Sequence, residues 1–224
     1  VIPPDASTII IAGAYQPLTA TEVDILAEYL FQGGAVIFML EPRPLVFSSP
    51  DWQYLYQYLE QHWGITFAND VIVDQNSMFD RVIAIGDTET YARHSVTQNL
   101  YGAATLFPSS QAVLTTNVPE TVSITPLIST NKSAWGETDI TSIQNGLEQF
   151  QAEDDIQGPA RLVVVAEDSQ NNARITVVGD SDFAVDANFY QYGNGDLLIN
   201  LVEWSNKQEN LISLPSRQST VRSI

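Results

Sequence analysis

A chain of 224 residues with 44% hydrophobic and 16% charged side chains can bury a substantial core and is too apolar to be disordered. Its 27 acidic and 9 basic residues give a formal net charge of -18, which repels phosphate backbones and anionic headgroups, so nucleic acid and a bare membrane surface are poor partners. The absence of cysteine excludes disulfides, thiolate metal sites and a cysteine nucleophile, and no apolar run reaches the about 20 residues that span a bilayer.

The chain opens at Val1-Ile2-Pro3-Pro4 without Met or a signal-like segment, so it reads as a piece of a longer protein with any anchor outside it. Ser7 to Gly13 is an apolar, β-branched run of the kind buried in parallel sheets. A helix over Ala20 to Gln32 follows, with Thr19 as N-cap and Glu22 completing a capping box. Its positions Val23, Leu26, Ala27, Leu30 and Phe31 form one apolar stripe, and Gly33-Gly34 ends it. Ala35 to Leu40 is the next buried strand, so this is a strand–helix–strand crossover between parallel neighbours.

Asp51 to Gly64 reads as a helix whose aromatic stripe packs into a core rather than stacking a sugar, because the residues recur at helical steps. Between residues 65 and 126, short β-like runs at Val71 to Asp74, Val82 to Gly86, Ala103 to Phe107, Ala112 to Thr115 and Val122 to Ile124 suggest a β-rich lobe. Leu127 to Gly158 is mostly polar and reads as a long loop with a short helix. Arg161 to Ala166 and Ala173 to Val178 are two strands joined tightly enough for an antiparallel hairpin. Asp196 to Asn206 is a last helix, and residues 215–224 read as a flexible tether after a single α/β domain over 1–214.

The polar cluster Gly179-Asp180-Ser181-Asp182-Phe183 stands directly after a buried strand, where open α/β sheets bind ligands. It offers two carboxylates and a hydroxyl with no base beside the hydroxyl, which favours binding over covalent chemistry. Hard cations suit such oxygens, with Asp186 and Asn188 as further donors if the loop folds back. The competing reading is that these side chains cap the following turn. His94 precedes Ser95, but adjacent residues do not make a nucleophile–base pair, and capping by Ser95 or Thr97 explains the stretch. Only two histidines, His62 and His94, with no cysteine argue against a transition-metal site. No Gly-x-Ser-x-Gly elbow exists, and Gly13-Ala14-Tyr15 lacks the glycine spacing that cradles a dinucleotide, so neither catalytic residues nor a cofactor is assigned.

The succession of motifs is distinctive. Pro3-x-Asp5-Ala6 precedes Ile9 to Gly13, then come Gln16-Pro17-Leu18-Thr19-x-x-Glu22, Tyr29-Leu30 and Gly33-Gly34. Later follow His94 to Leu100, Ser133-Ala-Trp135-Gly-Glu137-Thr138-Asp139, Gly158-Pro159, Gly179 to Phe183, Asn188 and Gly195-Asp-x-x-x-Asn200-x-x-x-Trp204. In this order they resemble the auxiliary component of bacterial ABC transport systems, of which the gliding-motility-associated members are the best known. In that family an earlier strand and helix precede the Pro3-x-Asp5-Ala6 region, and the 224 residues start after that point. The resemblance implies a Rossmann-like fold, akin to the amidotransferase-like fold shared with an intraflagellar-transport protein domain. It also implies a place outside the bacterial cytoplasmic membrane, anchored by segments outside this chain, with permease and ATPase subunits as partners and no established catalytic residues.

Together these readings predict a three-layer, Rossmann-like (amidotransferase-like) α/β domain with a mostly parallel sheet and a β-rich lobe over roughly 65–126. Its sheet core is Ser7 to Gly13, Ala35 to Leu40, Arg161 to Ala166 and Ala173 to Val178. The expected function is that of a non-catalytic extracytoplasmic accessory acting by binding. The alternative is a metal-assisted α/β hydrolase using Asp180 or Asp182. A ligand crevice is expected at Gly13 to Gln16, Glu41 and Asp180 to Asp182, because these follow three strands expected to lie parallel. Its acidic lining suits a cation or a sugar better than an anion.

Overall fold

The computed structural model describes residues 1–14, 16–42 and 52–212. In chain order the first half holds strand β1 (Ile9–Ala12), helix α1 (Ala20–Phe31), β2 (Ala35–Met39), α2 (Gln53–Trp63), β3 (Ile65–Phe67), β4 (Val71–Val73), β5 (Ile83–Gly86), α3 (Ser95–Gln98), β6 (Thr105–Pro108) and β7 (Val113–Thr115). The second half adds β8 (Val122–Ser129), β9 (Trp135–Glu137), α4 (Ile140–Asn145), β10 (Ile156–Gln157), β11 (Arg161–Asp168), β12 (Arg174–Val178), α5 (Asp186–Phe189), α6 (Asn194–Ser205) and α7 (Glu209–Ile212). The fold is mixed α/β. No helix among the described residues is long and apolar enough to cross a membrane.

The capping box at the start of α1 forms as its sequence predicts. The Thr19 hydroxyl accepts from the Glu22 N–H at 3.3 Å, while the Thr19 N–H donates to the Glu22 carboxylate at 2.8 Å. This fixes the direction in which α1 leaves the sheet, and its buried stripe Val23, Leu26 and Leu30 then meets β2.

Five strands build the main sheet in the order β1-β2-β12-β11-β8. β1 and β2 pair in parallel, as do β2 and β12, whereas β12–β11 and β11–β8 are antiparallel. The expectation of a mostly parallel sheet is therefore corrected: the sheet is mixed, and the smaller sheets are antiparallel throughout. For β11–β12 the reason is chain length: the short turn from Asp168 to Arg174 can only reverse the chain, whereas β1–α1–β2 supplies a helical crossover. The hairpin expected from that turn is present, with Val164 opposite Val177.

Both faces of the sheet are buried. Val36 and Phe38 of β2 point to one face with Val164, Ile175 and Val177, under Leu26 and Leu30 of α1 and Leu55, Leu59 and Trp63 of α2. Ile37 and Met39 point the other way with Val163, Val165 and Val178, under Leu197, Leu201 and Trp204 of α6. This alternation is the period-2 geometry of a strand covered on both sides. At about 25 cal/mol per Å² of apolar surface, each such side chain stabilises the fold by about 1.5–3 kcal/mol before entropy is counted.

The expected loop over Leu127 to Gly158 is only partly a loop. Leu127 to Ser129 continue β8, which runs the length of β11 as an edge strand and accommodates Pro126 there. Trp135 to Glu137 form the middle strand of a three-stranded sheet, β10-β9-β4. The short helix expected in this stretch is α4, capped by the Asp139 side chain accepting from the Thr141 N–H at 3.0 Å. α7 was not expected, and the tether assigned to residues 215–224 lies outside the described residues.

Candidate functional site

The parallel strands β1, β2 and β12 end side by side. Ala12 pairs with Met39, and Met39 with Val178, so the residues that follow, Gly13, Leu40-Glu41 and Gly179-Asp180, emerge along one edge of the sheet. The Gly13 N–H donates to Met39 O at 3.1 Å and the Leu40 N–H to Val178 O at 3.0 Å, extending the ladder into these loops. One carboxylate oxygen from each of Glu41, Asp180 and Asp182 lies within 4.8 Å of the others.

Glu41 is half-buried, Asp180 fully buried and Asp182 exposed. The Asp180 carboxylate accepts from the backbone N–H of Asp182 at 2.8 Å and of Phe183 at 3.0 Å. It thereby caps the 3-10 turn over Asp182–Ala184 and anchors the ring of Phe183 in the core beside Phe107. Glu41 accepts from the Ser181 N–H at 2.7 Å. Ser181 in turn packs against Gly13: a Cβ added at residue 13, whose φ is 52°, would lie 2.5 Å from the Ser181 hydroxyl oxygen. Position 13 thus needs glycine both for its left-handed backbone and for this approach.

Burial pushes the acidity of this group the same way at two positions. Desolvation raises Glu41 from its ordinary value, with the charge of Asp182 adding to it. Asp180 is raised well above its ordinary value, first by desolvation and then by the charge of Glu41. Two acids that resist ionisation beside an exposed third will hold protons readily, or a cation in their place.

Gln111, which sequence reasoning missed, supports the edge from below. It is fully buried, and its Nε2 donates to Leu40 O at 2.9 Å and Glu41 O at 3.0 Å, while its backbone N–H donates to Gly179 O at 2.8 Å. One residue just ahead of β7 thus ties the loops after β2 and β12 together. It lies 70 residues from Glu41, and only the tertiary fold reveals the link.

Not every expected residue joins the group. Gln16 is exposed and makes no hydrogen bond to the three carboxylates, and Tyr15 lies outside the described residues. Asn188 turns its side-chain N–H to Asp182 O at 2.8 Å, so it braces the backbone of the loop. Asp186 is exposed in the first turn of α5. The capping expected of Ser95 or Thr97 belongs to His94 itself, whose Nδ1 accepts from the Val96 N–H at 3.2 Å while its ring packs edge-on against Trp204. Thr97 hydrogen-bonds back to Ala92 O and His94 O. His62 stacks on Tyr58 at 4.9 Å, away from the sheet edge.

A second polar group, also missed, is buried in the lobe. Asp70 precedes β4 and accepts from the Ala112 N–H at 3.3 Å, and desolvation raises it to about 7. Asp155 nearby accepts from Thr138 and Gln151, holding the segment that includes α4 against β9.

A model of the family described as an ABC-type uncharacterized transport system matches residues 1–201. The fold is similar to that of the mmIFT52 N-terminal domain, with a TM-score of 0.64 at 16% identity over 91% of this chain and 78% of that one. A cytoplasmic protein from Salmonella typhimurium aligns with a TM-score of 0.49 at 10% identity, over 88% of this chain and 70% of that one. A comparison with curated protein sequences found no match.

Proposed function

Because the chain belongs to the ABC-type uncharacterized transport system family, we propose that it is a non-catalytic accessory of such a system, working by binding outside a bacterial cytoplasmic membrane. The family match over residues 1–201 carries this reading, since it takes in the main sheet and the β-rich lobe together. In this reading its partners are the permease and ATPase subunits, and the segments that anchor it lie outside the 224 residues. The parallel β1-β2-β12 core with helices over both faces supports a three-layer, Rossmann-like (amidotransferase-like) plan, as does the likeness to the mmIFT52 domain, which speaks for fold alone. Two apolar clusters sharing β2, β11 and β12 support a single α/β domain over 1–214.

The location has a direct test, because the 224 residues hold no cysteine and labelling can be compared with that of the unsubstituted full-length protein. A single Glu89→Cys substitution, at an exposed side chain, is introduced into the full-length protein in its host. Labelling by a membrane-impermeant maleimide in intact spheroplasts is expected, and labelling only after permeabilisation would refute an extracytoplasmic domain. Purification of the full-length protein from mild detergent is expected to bring down an ATPase and a multi-spanning permease.

The ligand site in this reading is the edge formed by Gly13, Glu41, Asp180, Ser181 and Asp182, with a hard cation or a sugar as occupant. The meeting of three carboxylates supports it. The same observation favours a second reading, metal-assisted hydrolysis with Asp180 or Asp182 holding the ion. Millimolar Ca²⁺ or Mg²⁺ should raise the melting temperature of the wild type and not of Asp180→Asn/Asp182→Asn. An unmoved wild type would leave the group a structural cap and remove both cation readings.

A further inference from the structure

Three neighbouring segments expose large apolar side chains. Met78 is 88% exposed, Tyr190 83%, Leu147 70% and Tyr192 59%. The Phe79 ring meets Tyr192 edge-on at 5.6 Å, joining the loop after β4 to the loop after α5. Arg81 donates to Ile143 O at 3.3 Å and pairs with Glu148, joining the loop after β4 to the stretch beside Leu147. Scattered apolar side chains are normal on a surface, but exposed Met, Phe, Tyr and Leu on three segments tied together by these contacts mark an interaction site.

Tyr192 adds an independent observation. Its φ is 49°, in the left-handed region that asparagine and glycine occupy with less strain than a bulky aromatic. Apart from its edge-on contact with Phe79, the exposed Tyr192 ring has no burial that would favour tyrosine there, and such strained residues cluster at functional sites.

Charge identifies the occupant. Of the acidic residues over 74–82, 139–155 and 180–196, Asp74, Glu148, Asp155 and Asp180 are buried, and Asp80, Asp139, Glu153, Asp154, Asp182 and Asp186 are exposed, against one basic residue, Arg81, which Glu148 already neutralises. A second copy of a chain with a net charge of -18, or an anionic bilayer, would meet like charge at this face. We propose that the surface carrying Met78, Phe79, Leu147, Tyr190 and Tyr192 docks a protein segment that presents apolar side chains between lysines or arginines. The apolar anchors supply the hold, and the acidic surround steers the approach and selects the partner. This inference rests on surface chemistry and stands apart from the transport reading.

The probe is an amphipathic peptide of about 18 residues, five helical turns, with leucine on one face and lysine on the other. Two control peptides keep its pattern, one with glutamine for leucine and one with glutamate for lysine. Binding is read by fluorescence anisotropy against the wild type and against Met78→Ser/Tyr190→Ser/Tyr192→Asn, which leaves every charge in place. A control protein, Phe31→Ser/Ile199→Ser, removes exposed apolar side chains elsewhere. The leucine–lysine peptide is expected to bind the wild type and the control protein alike and the triple variant at least about tenfold more weakly, as loss of interface anchors does. Neither control peptide is expected to bind. Equal binding to the triple variant, or tight binding of the glutamate peptide, would overturn the proposal. So would a wild-type dimer, or flotation with phosphatidylglycerol vesicles, that the triple variant loses, since either would assign the face to a second copy or to lipid. The substituted side chains are exposed, so the triple variant should melt like the wild type, and Tyr190→Ser alone should show a smaller loss in the same direction.

Discussion

The carboxylate of Glu41 accepts a 2.7 Å hydrogen bond from the backbone N–H of Ser181, which lies 140 residues further along the chain. It joins the loop after β2 to the loop after β12, two strands that are themselves parallel neighbours. Since Ser181 also closes on Gly13 after β1, the ends of three strands are locked to one another through two contacts. The carboxylates of Glu41 and Asp180 are thus held in place by the backbone N–H groups of Ser181, Asp182 and Phe183.

Glu41→Ala should lower stability by about 1 kcal/mol, the usual worth of one such hydrogen bond. Glu41→Gln keeps an oxygen to accept from the Ser181 N–H and removes a charge beside Asp180 and Asp182. Its stability at pH 7 should therefore equal or exceed that of the wild type. Urea unfolding of both variants checks this, and a Gln variant as weak as the Ala variant would mean that the charge, not the hydrogen bond, holds the loops.

This edge was legible in the sequence because parallel strands place their C-terminal ends together, so Gly13, Glu41 and Asp180 follow from three apolar runs. The capping box at Thr19 was legible because it is local. What escaped reading depends on partners far along the chain. Leu127 to Ser129 read as loop together with the mostly polar stretch that follows, yet they extend β8 past Pro126, and at a sheet edge proline loses no ladder bond that matters. Gln111 and Asp70 stand just ahead of two short β-like runs with no signal of their own, and only tertiary packing turns one into a tie between loops and the other into a buried acid.

Gly13→Ala should destabilise by about 1–2 kcal/mol from its left-handed backbone alone. The new methyl would also press on the Ser181 hydroxyl. Since that oxygen is the free end of a side chain, Ser181→Ala should recover part of the loss. A double-mutant cycle in guanidinium measures the coupling, and strictly additive effects would show that the contact does not matter.

Gln111→Leu is close in size and cannot donate to Leu40 O and Glu41 O. Leaving buried carbonyls unpaired costs about 1–3 kcal/mol each, so a loss of at least about 2 kcal/mol is expected. Amide exchange should quicken at Ser181 and Phe183, whose N–H groups lie in the loop that Gln111 helps to hold. Exchange that accelerates evenly over the whole chain would instead report global loosening.

The pH dependence of stability should be led by buried acids. Asp70, Glu41 and Asp180 are all raised, chiefly by desolvation, so each binds its proton more tightly folded than unfolded. The stability this adds is complete below the unfolded value and is lost as pH rises through the folded one. For Asp70 the window runs from 3.8 to about 7, where one proton changes stability by about 1.4 kcal/mol per pH unit. His94, lowered by burial, acts in the opposite direction, and Glu22 and Glu209, lowered from 4.5, add stability that is lost only toward acid. Comparing wild type with Asp70→Asn separates these contributions. The variant retains an oxygen to accept from the Ala112 N–H but binds no proton, so its stability between pH 5 and about 7 should fall less steeply by roughly one proton's slope. Parallel wild-type and variant curves from urea unfolding across that range would show that Asp70 ionises like an exposed carboxylate.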